Sequence, residues 1–215
     1  MQIEGWLAES SSSYVGEGSH RRDNLEELCL SGFMNPEIVY SFLHRNPNLK
    51  SLTLDSCTFT YIVPLKMPSK HENLGVVPKL KILKLIDLYD LETIGFEQDI
   101  LLERIEFLIL KYCTRLVNII PSHVSLTHLT DLEVDSCDSL EKLMPPSAAK
   151  SLVQLNTMKV MNCESLLEIV DNEEDKAEKI VFSQLKVLEL VSLKNLNCFS
   201  KSDKIFEFPS LEKLV

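Results

Sequence analysis

The stretch LTDLEVDSC, at residues 129–137, decides the fold because it recurs along almost the whole chain. It has apolar residues at positions 1, 4 and 6 and a cysteine or another apolar residue at position 9. The same frame starts at residues 25, 49, 80, 105, 155 and 185, and a shortened eighth copy starts at residue 211. All 23 residues at positions 1, 4 and 6 are apolar and 19 of them are leucine, in a chain that is 45% hydrophobic. The copies start 24 to 31 residues apart, which indicates a repeat protein.

The frame predicts short strands that stack side by side. In an extended strand, positions 4 and 6 point to one side and positions 3, 5 and 7 point to the other. One repeat cannot bury its leucine pair alone, whereas stacked repeats bury a continuous column. We therefore predict an α/β leucine-rich-repeat solenoid of about eight repeats, the last truncated, with a curved parallel β-sheet on the concave face. The repeats occupy residues 25–215, and residues 1–24 are expected to form an irregular segment or a partial coil.

The connections between frames predict the convex side. After position 9, apolar residues follow with a period of three, which favours extended or 3₁₀-like arcs. Asn35 and Pro36 precede EIVYSFLHR, a pattern typical of an N-capped helix with proline at its first position. Residues 145–150 predict a short helix or turn, and residues 64–78 and 171–179 predict surface loops.

Four of the six cysteines, Cys57, Cys113, Cys137 and Cys163, stand at position 9. A small side chain with one weak hydrogen bond suits a buried bend, so we interpret these cysteines as structural. A metal ladder along the column and a catalytic pair of Cys113 with a nearby histidine are the less favoured alternatives. No phosphate-binding, nucleophile-elbow or zinc-protease motif is present, so we predict no cofactor, no metal and no enzyme activity.

The net charge of −10, with pI near 5.0, argues against nucleic acid as a partner. No apolar run is long enough for a membrane-spanning helix, and no secretory signal is visible at the N-terminus. We therefore expect no membrane insertion and a cytoplasmic protein, with the nucleus as the alternative compartment.

The outward positions 3, 5 and 7 are the candidate binding face. An apolar cluster is expected on two neighbouring strands and three carboxylates on the next strand, where they repel one another unless a basic partner covers them. The alternative for the apolar cluster is cover by a loop or another domain. The alternating charges of Glu133, Lys159 and Glu189 are interpreted as structural. The candidate partner-binding residues are Ile82, Lys84, Ile86, Phe107, Ile109, Lys111, Asp131, Glu133, Asp135, Lys159 and Met161.

Several longer stretches resemble one family. They include LTHLTDLEVDSCDSLEKLMPPSAAKSLVQL, MKVMNCESLLEIVDNEEDKAEKIVFSQLKVLEL and FEFPSLEKLV. Over residues 25–215 the chain resembles the C-terminal leucine-rich repeats of plant intracellular disease-resistance proteins of the coiled-coil, nucleotide-binding, non-TIR class. The resemblance implies recognition of a pathogen effector or a guarded host protein, or contact with the receptor's nucleotide-binding domain. The phosphate-binding loop and the coiled coil of that class are not in this sequence, so the implied role is recognition or regulation in defence.

Two other functions stay open at this point. The first is a substrate-reading repeat domain of a ubiquitin-ligase adaptor, since such repeats also favour cysteine at position 9. The second is a truncated receptor fragment without independent activity, because the last frame stops inside a strand and leaves a sheet edge.

Overall fold

The computed structural model describes residues 2–4, 25–62, 80–94, 102, 104–172, 179–201 and 204–215. The loop expected at residues 64–78 lies outside the described residues, as does most of the loop expected at 171–179. The described residues contain strands and two short helices. In chain order these elements are β1 (Gln2–Glu4), β2 (Glu27–Ser31), α1 (Glu37–Arg45), β3 (Ser51–Asp55), β4 (Ile82–Ile86), β5 (Phe107–Lys111), β6 (Asp131–Asp135), β7 (Lys142–Met144), α2 (Pro146–Ser151), β8 (Thr157–Met161), β9 (Glu168–Val170), β10 (Lys179–Val181), β11 (Val187–Val191), β12 (Ile205–Glu207) and β13 (Lys213–Leu214).

The main sheet has nine parallel strands in the order β1-β2-β3-β4-β5-β6-β8-β11-β13. All except β1 begin at position 3 of a frame, which confirms the predicted leucine-rich-repeat solenoid. β1 pairs with β2 and makes the sheet one strand wider than the eight frames predict. From β2 to β11 the strands pair without a register shift, so residues at the same position stand side by side.

The residues at positions 4 and 6 form the core, as the period of two predicts. Leu108, Leu110, Leu132 and Val134 are at most 1% exposed. Burying one such side chain contributes roughly 1.5–3 kcal/mol, so each added repeat strengthens the stack. The core is less completely buried at β11, where Leu190, at position 6, is only half-buried.

Position 8 ends each strand in a left-handed conformation, with φ between 52° and 74°. Its N–H group donates to the carbonyl oxygen at position 7 of the next strand, at 2.9–3.1 Å in the six repeats from β2 to β8. The bond extends the ladder while the chain turns out of the sheet. Glycine adopts this conformation without a steric penalty, whereas a bulky residue such as Tyr112 is strained there. The residues at position 8 are Gly32, Ser56, Asp87, Tyr112, Ser136, Asn162 and Ser192.

The arcs after position 9 combine a tight turn with an extended segment. The N–H at position 12 donates to the carbonyl oxygen at position 9, at 3.1–3.3 Å in the five successive arcs of this pattern, which is a 3₁₀-type bond. Residues at position 14 then pair in parallel, Thr93 with Asn118 and, through β7 and β9, Lys142 with Glu168. Among the described residues, no bridge joins Asn118 to Lys142, so this second ladder is interrupted there.

Both predicted helices are present. The Asn35 Oδ1 atom accepts a hydrogen bond from the Glu37 N–H at 2.9 Å, which is the capping bond expected at the start of α1. α1 buries Val39 and Leu43 against the core, and α2 forms where residues 145–150 predict a short helix or turn. Within the described part of the chain, no helix has the length and apolar content needed to cross a membrane.

Candidate protein-interaction face

The candidate residues share one side of four adjacent strands. We define the strand face as the side chains at positions 3, 5 and 7 of β4, β5, β6 and β8. Because positions 4 and 6 of these strands are buried, the strand face lies on the opposite side of the sheet from the core. The structure brings together on it Ile82, Lys84, Ile86, Phe107, Ile109, Lys111, Asp131, Glu133, Asp135, Lys159 and Met161, with Thr157 as the remaining member.

The apolar cluster occupies β4 and β5. Phe107 stands beside Ile82 in the sheet, and Ile109 follows on the same side of β5. Phe107 is 37% exposed, and the isoleucines are half-buried by their neighbours. The cluster is therefore accessible on a surface whose other residues are mostly polar or charged.

Two of the three carboxylates of β6, those of Glu133 and Asp135, have partners within the chain. The Lys111 Nζ atom lies 2.7 Å from the Glu133 Oε1 atom, and this hydrogen bond raises the pKa of Lys111. The Asp135 Oδ1 atom accepts hydrogen bonds from the Ser136 hydroxyl at 3.0 Å and from the Asn162 amide at 2.9 Å. The expectation that these carboxylates need an external basic partner is therefore wrong for Glu133, because the neighbouring strand supplies the cation.

The alternating charges at position 5 stand side by side as expected, with Lys159 between Glu133 and Glu189. Lys159 lies 3.8 Å from Glu189, whose other carboxylate oxygen is 2.6 Å from the Lys213 Nζ atom. The hydrogen bond from Lys213 lowers the pKa of Glu189. These contacts hold charges of opposite sign together within the sheet, which fits the structural interpretation.

The cysteine column is buried along the repeats. Cys57, Cys113, Cys137 and Cys163 are at most 1% exposed, and each thiol lies 3.3–3.7 Å from the carbonyl oxygen at position 7 of its own repeat. Burial raises the pKa of Cys57, and it raises the pKa of Cys163 to about 12. A hydrogen bond with Cys113, together with burial, raises the pKa of Cys137. The thiols of Cys57, Cys137 and Cys163 are thus held in their neutral form, as structural cysteines are.

The alternatives of metal binding and thiol catalysis gain no support. Cys113 is fully buried, whereas the side chains of His123 and His128 are exposed. Within the ranges that the structure describes, no three histidine, cysteine or acidic side chains are grouped so that they could hold a metal ion.

Two exposed tyrosines beside the strand face were missed by the sequence analysis. Tyr89 and Tyr112 are 55% and 44% exposed and follow the carboxyl ends of β4 and β5. The Tyr89 hydroxyl donates to the Asp87 Oδ1 atom at 3.2 Å. Tyr112 could have been recognised in the sequence, because it stands at position 8 of its frame, where the other repeats carry glycine, serine, aspartate or asparagine.

A separate cleft of about 320 Å³ opens where the position-14 ladder is interrupted. Its lining includes Asn118, Ser122 and the ion pair of Lys142 with Asp171, whose Nζ and Oδ1 atoms are 2.5 Å apart. The candidate residues of the strand face do not line it. The repeat pattern gave no sign of this cleft, since the two repeats that border it both carry cysteine at position 9 and leucine or isoleucine at positions 12 and 15.

Comparison with known proteins supplies the family. The model of the plant disease resistance protein RPS2-like leucine-rich repeats matches residues 24–164 and, in a second overlapping match, residues 123–215. No match was found among the curated proteins or among the solved structures. The two family matches together cover residues 24–215, which contain all eight frames and the whole strand face. The chain therefore belongs to the RPS2-like leucine-rich-repeat family of plant disease resistance proteins.

Proposed function

We propose that the chain is a recognition domain in plant innate immunity and that its strand face binds a protein partner. Membership of the disease-resistance family supports the first part of this proposal. The partner is a pathogen effector, a host protein that effectors modify, or the nucleotide-binding domain of the receptor itself. The proposed compartment is the cytoplasm, with the nucleus as the alternative.

The observation that carries the proposal is the accessible apolar cluster around Phe107. Interfaces are richest in binding energy where aromatic and aliphatic side chains are covered by a partner. Phe107 and Ile109 project from the middle of the main sheet, and the ordered strands beneath them hold both side chains in place. A rigid sheet with a central apolar cluster and charged neighbours suits such an interface.

The test is a binding experiment with the double variant Phe107→Ala, Ile109→Ala. The purified chain is incubated with plant extract with and without a pathogen effector mixture, and each retained protein is then purified and its affinity measured directly. The matched control is Val117→Ala with Val153→Ala, since both valines are exposed but lie outside the strand face. Thermal unfolding of all variants shows whether the fold is intact.

We expect the Phe107, Ile109 variant to weaken direct binding at least 30-fold, which corresponds to about 2 kcal/mol for loss of a central anchor. The control variant keeps its affinity. Equal binding by the two variants, with both folded, would contradict the proposed face.

A further inference from the structure

Lys84 differs from the other lysines of the strand face and its border. Lys111, Lys159 and Lys213 each have a carboxylate on a neighbouring strand, at 2.7, 3.8 and 2.6 Å respectively. Among the residues that the structure describes, no carboxylate lies within 4.0 Å of the Lys84 ammonium group. Carboxylates of the sheet therefore pair with these other lysines, whereas the positive charge of Lys84 is available to a binding partner.

The neighbours of Lys84 along its strand and straight across the sheet are uncharged, and charged residues stand only on the diagonals, at position 7 of β3 and of β5. Ile82 and Ile86 precede and follow it on the same side of β4, and Ile109 stands beside it on β5. On the other side its neighbour is Thr53 of β3, which is uncharged. A partner that covers these isoleucines also removes water from the Lys84 ammonium group, and an unpaired charge in such a place is unfavourable.

From this arrangement we infer that the partner places one carboxylate, flanked by apolar side chains, on Lys84. The inference rests on the proposed binding face and specifies the chemistry of what binds there. A single lysine matches a single carboxylate, whereas a phosphate group is usually held by several donors or by arginine. The apolar neighbours supply most of the affinity, and the charge pair determines which segments are accepted.

The experiment selects binders from a phage-displayed library of random twelve-residue peptides, using the purified chain as bait. Parallel selections use Lys84→Glu and the control Lys201→Glu, which carries the same charge change on an exposed side chain outside the strand face. Peptides that bind through the strand face are identified by their loss of binding to Phe107→Ala. These peptides are then synthesised with their acidic side chain intact or replaced by the corresponding amide.

We expect strand-face peptides from the unaltered chain to carry an aspartate or glutamate between apolar residues. Changing this carboxylate to the amide weakens binding at least tenfold to the unaltered chain and to Lys201→Glu, but not to Lys84→Glu. The Lys84→Glu selection yields lysine or arginine at the same place. Two results would overturn this inference: strand-face peptides that are not enriched in aspartate or glutamate, or selection of the same peptides by Lys84→Glu. Neither result would contradict the proposed binding face itself. A library that yields no peptide sensitive to Phe107→Ala would overturn the proposed face as well.

Discussion

The buried thiol of Cys163 makes the stability of the fold sensitive to alkaline pH. Burial raises its pKa from 9.0 to about 12, so the folded chain keeps the thiol protonated where the unfolded chain releases the proton. Above pH 9 the unfolded state therefore binds fewer protons than the folded state, and stability falls as pH rises. The contribution of this thiol is fully present below pH 9 and is lost progressively up to about pH 12.

The size of the effect follows from the two pKa values. Each pH unit between them removes about 1.4 kcal/mol of folding free energy for one thiol. At pH 10.5, Cys163 alone destabilises the fold by about 2 kcal/mol relative to pH 7.5. Cys163→Ala abolishes this titration and loses roughly 1 kcal/mol of packing at every pH. The variant is therefore the less stable chain at pH 7.5 and the more stable chain at pH 10.5.

The assay is urea unfolding of the reduced chain at pH 7.5, 9.0 and 10.5, followed by circular dichroism. Val160→Ala is the matched control, since Val160 is equally buried in the adjacent strand but does not titrate. Other groups that ionise at high pH do so in all three proteins, so their effects cancel in the differences. If Cys163→Ala and Val160→Ala both differ from the unaltered chain by a constant amount across this range, the reasoning fails.

Two further predictions concern the repeat frame. Leu132→Ala removes a core side chain that is 1% exposed, so we expect a loss of about 2–5 kcal/mol in urea unfolding, whereas Val117→Ala at an exposed site stays within about 0.5 kcal/mol. Similar losses in the two variants would contradict the assigned core. Gly32→Ala forces a side chain into the left-handed position, with φ of 74°, and is expected to lower stability by about 1–2 kcal/mol. Gly32→Asn is expected to lose less than half as much, because asparagine tolerates this conformation, and an equal loss would refute the explanation.

The strands and the core were predictable because the information for them is local. The apolar residues at positions 4 and 6 share a period of two, and that period places both on one side of a strand wherever the frame occurs. The same reasoning placed the candidate residues side by side, since equal positions of stacked repeats fall into register. The capping bond of Asn35 was equally accessible, because it depends on residues two apart in sequence.

Other features depend on contacts that no single repeat encodes. β1 has no frame and is defined by pairing with β2. The ion pair of Lys111 with Glu133 runs diagonally, from position 7 of one strand to position 5 of the next, whereas sequence reasoning considered only straight neighbours. The cleft beside Asn118 arises because two arcs fail to pair, which depends on how the connecting segments pack.

The buried and the outward-facing positions of the frame have different roles, and this difference explains how one fold can serve recognition. The apolar side chains at positions 1, 4, 6, 9, 12 and 15 are buried through the middle of the solenoid, so these positions supply the core and tolerate little change. Positions 3, 5 and 7 contribute less to stability, and exposed ion pairs there are worth only about 0–1 kcal/mol. Side chains such as Phe107 and Lys84 can therefore vary without loss of the sheet that orients them. The fold requires neither an accessible apolar cluster nor, among the described residues, a lysine with no carboxylate within 4.0 Å, so both features support the proposed binding of a partner.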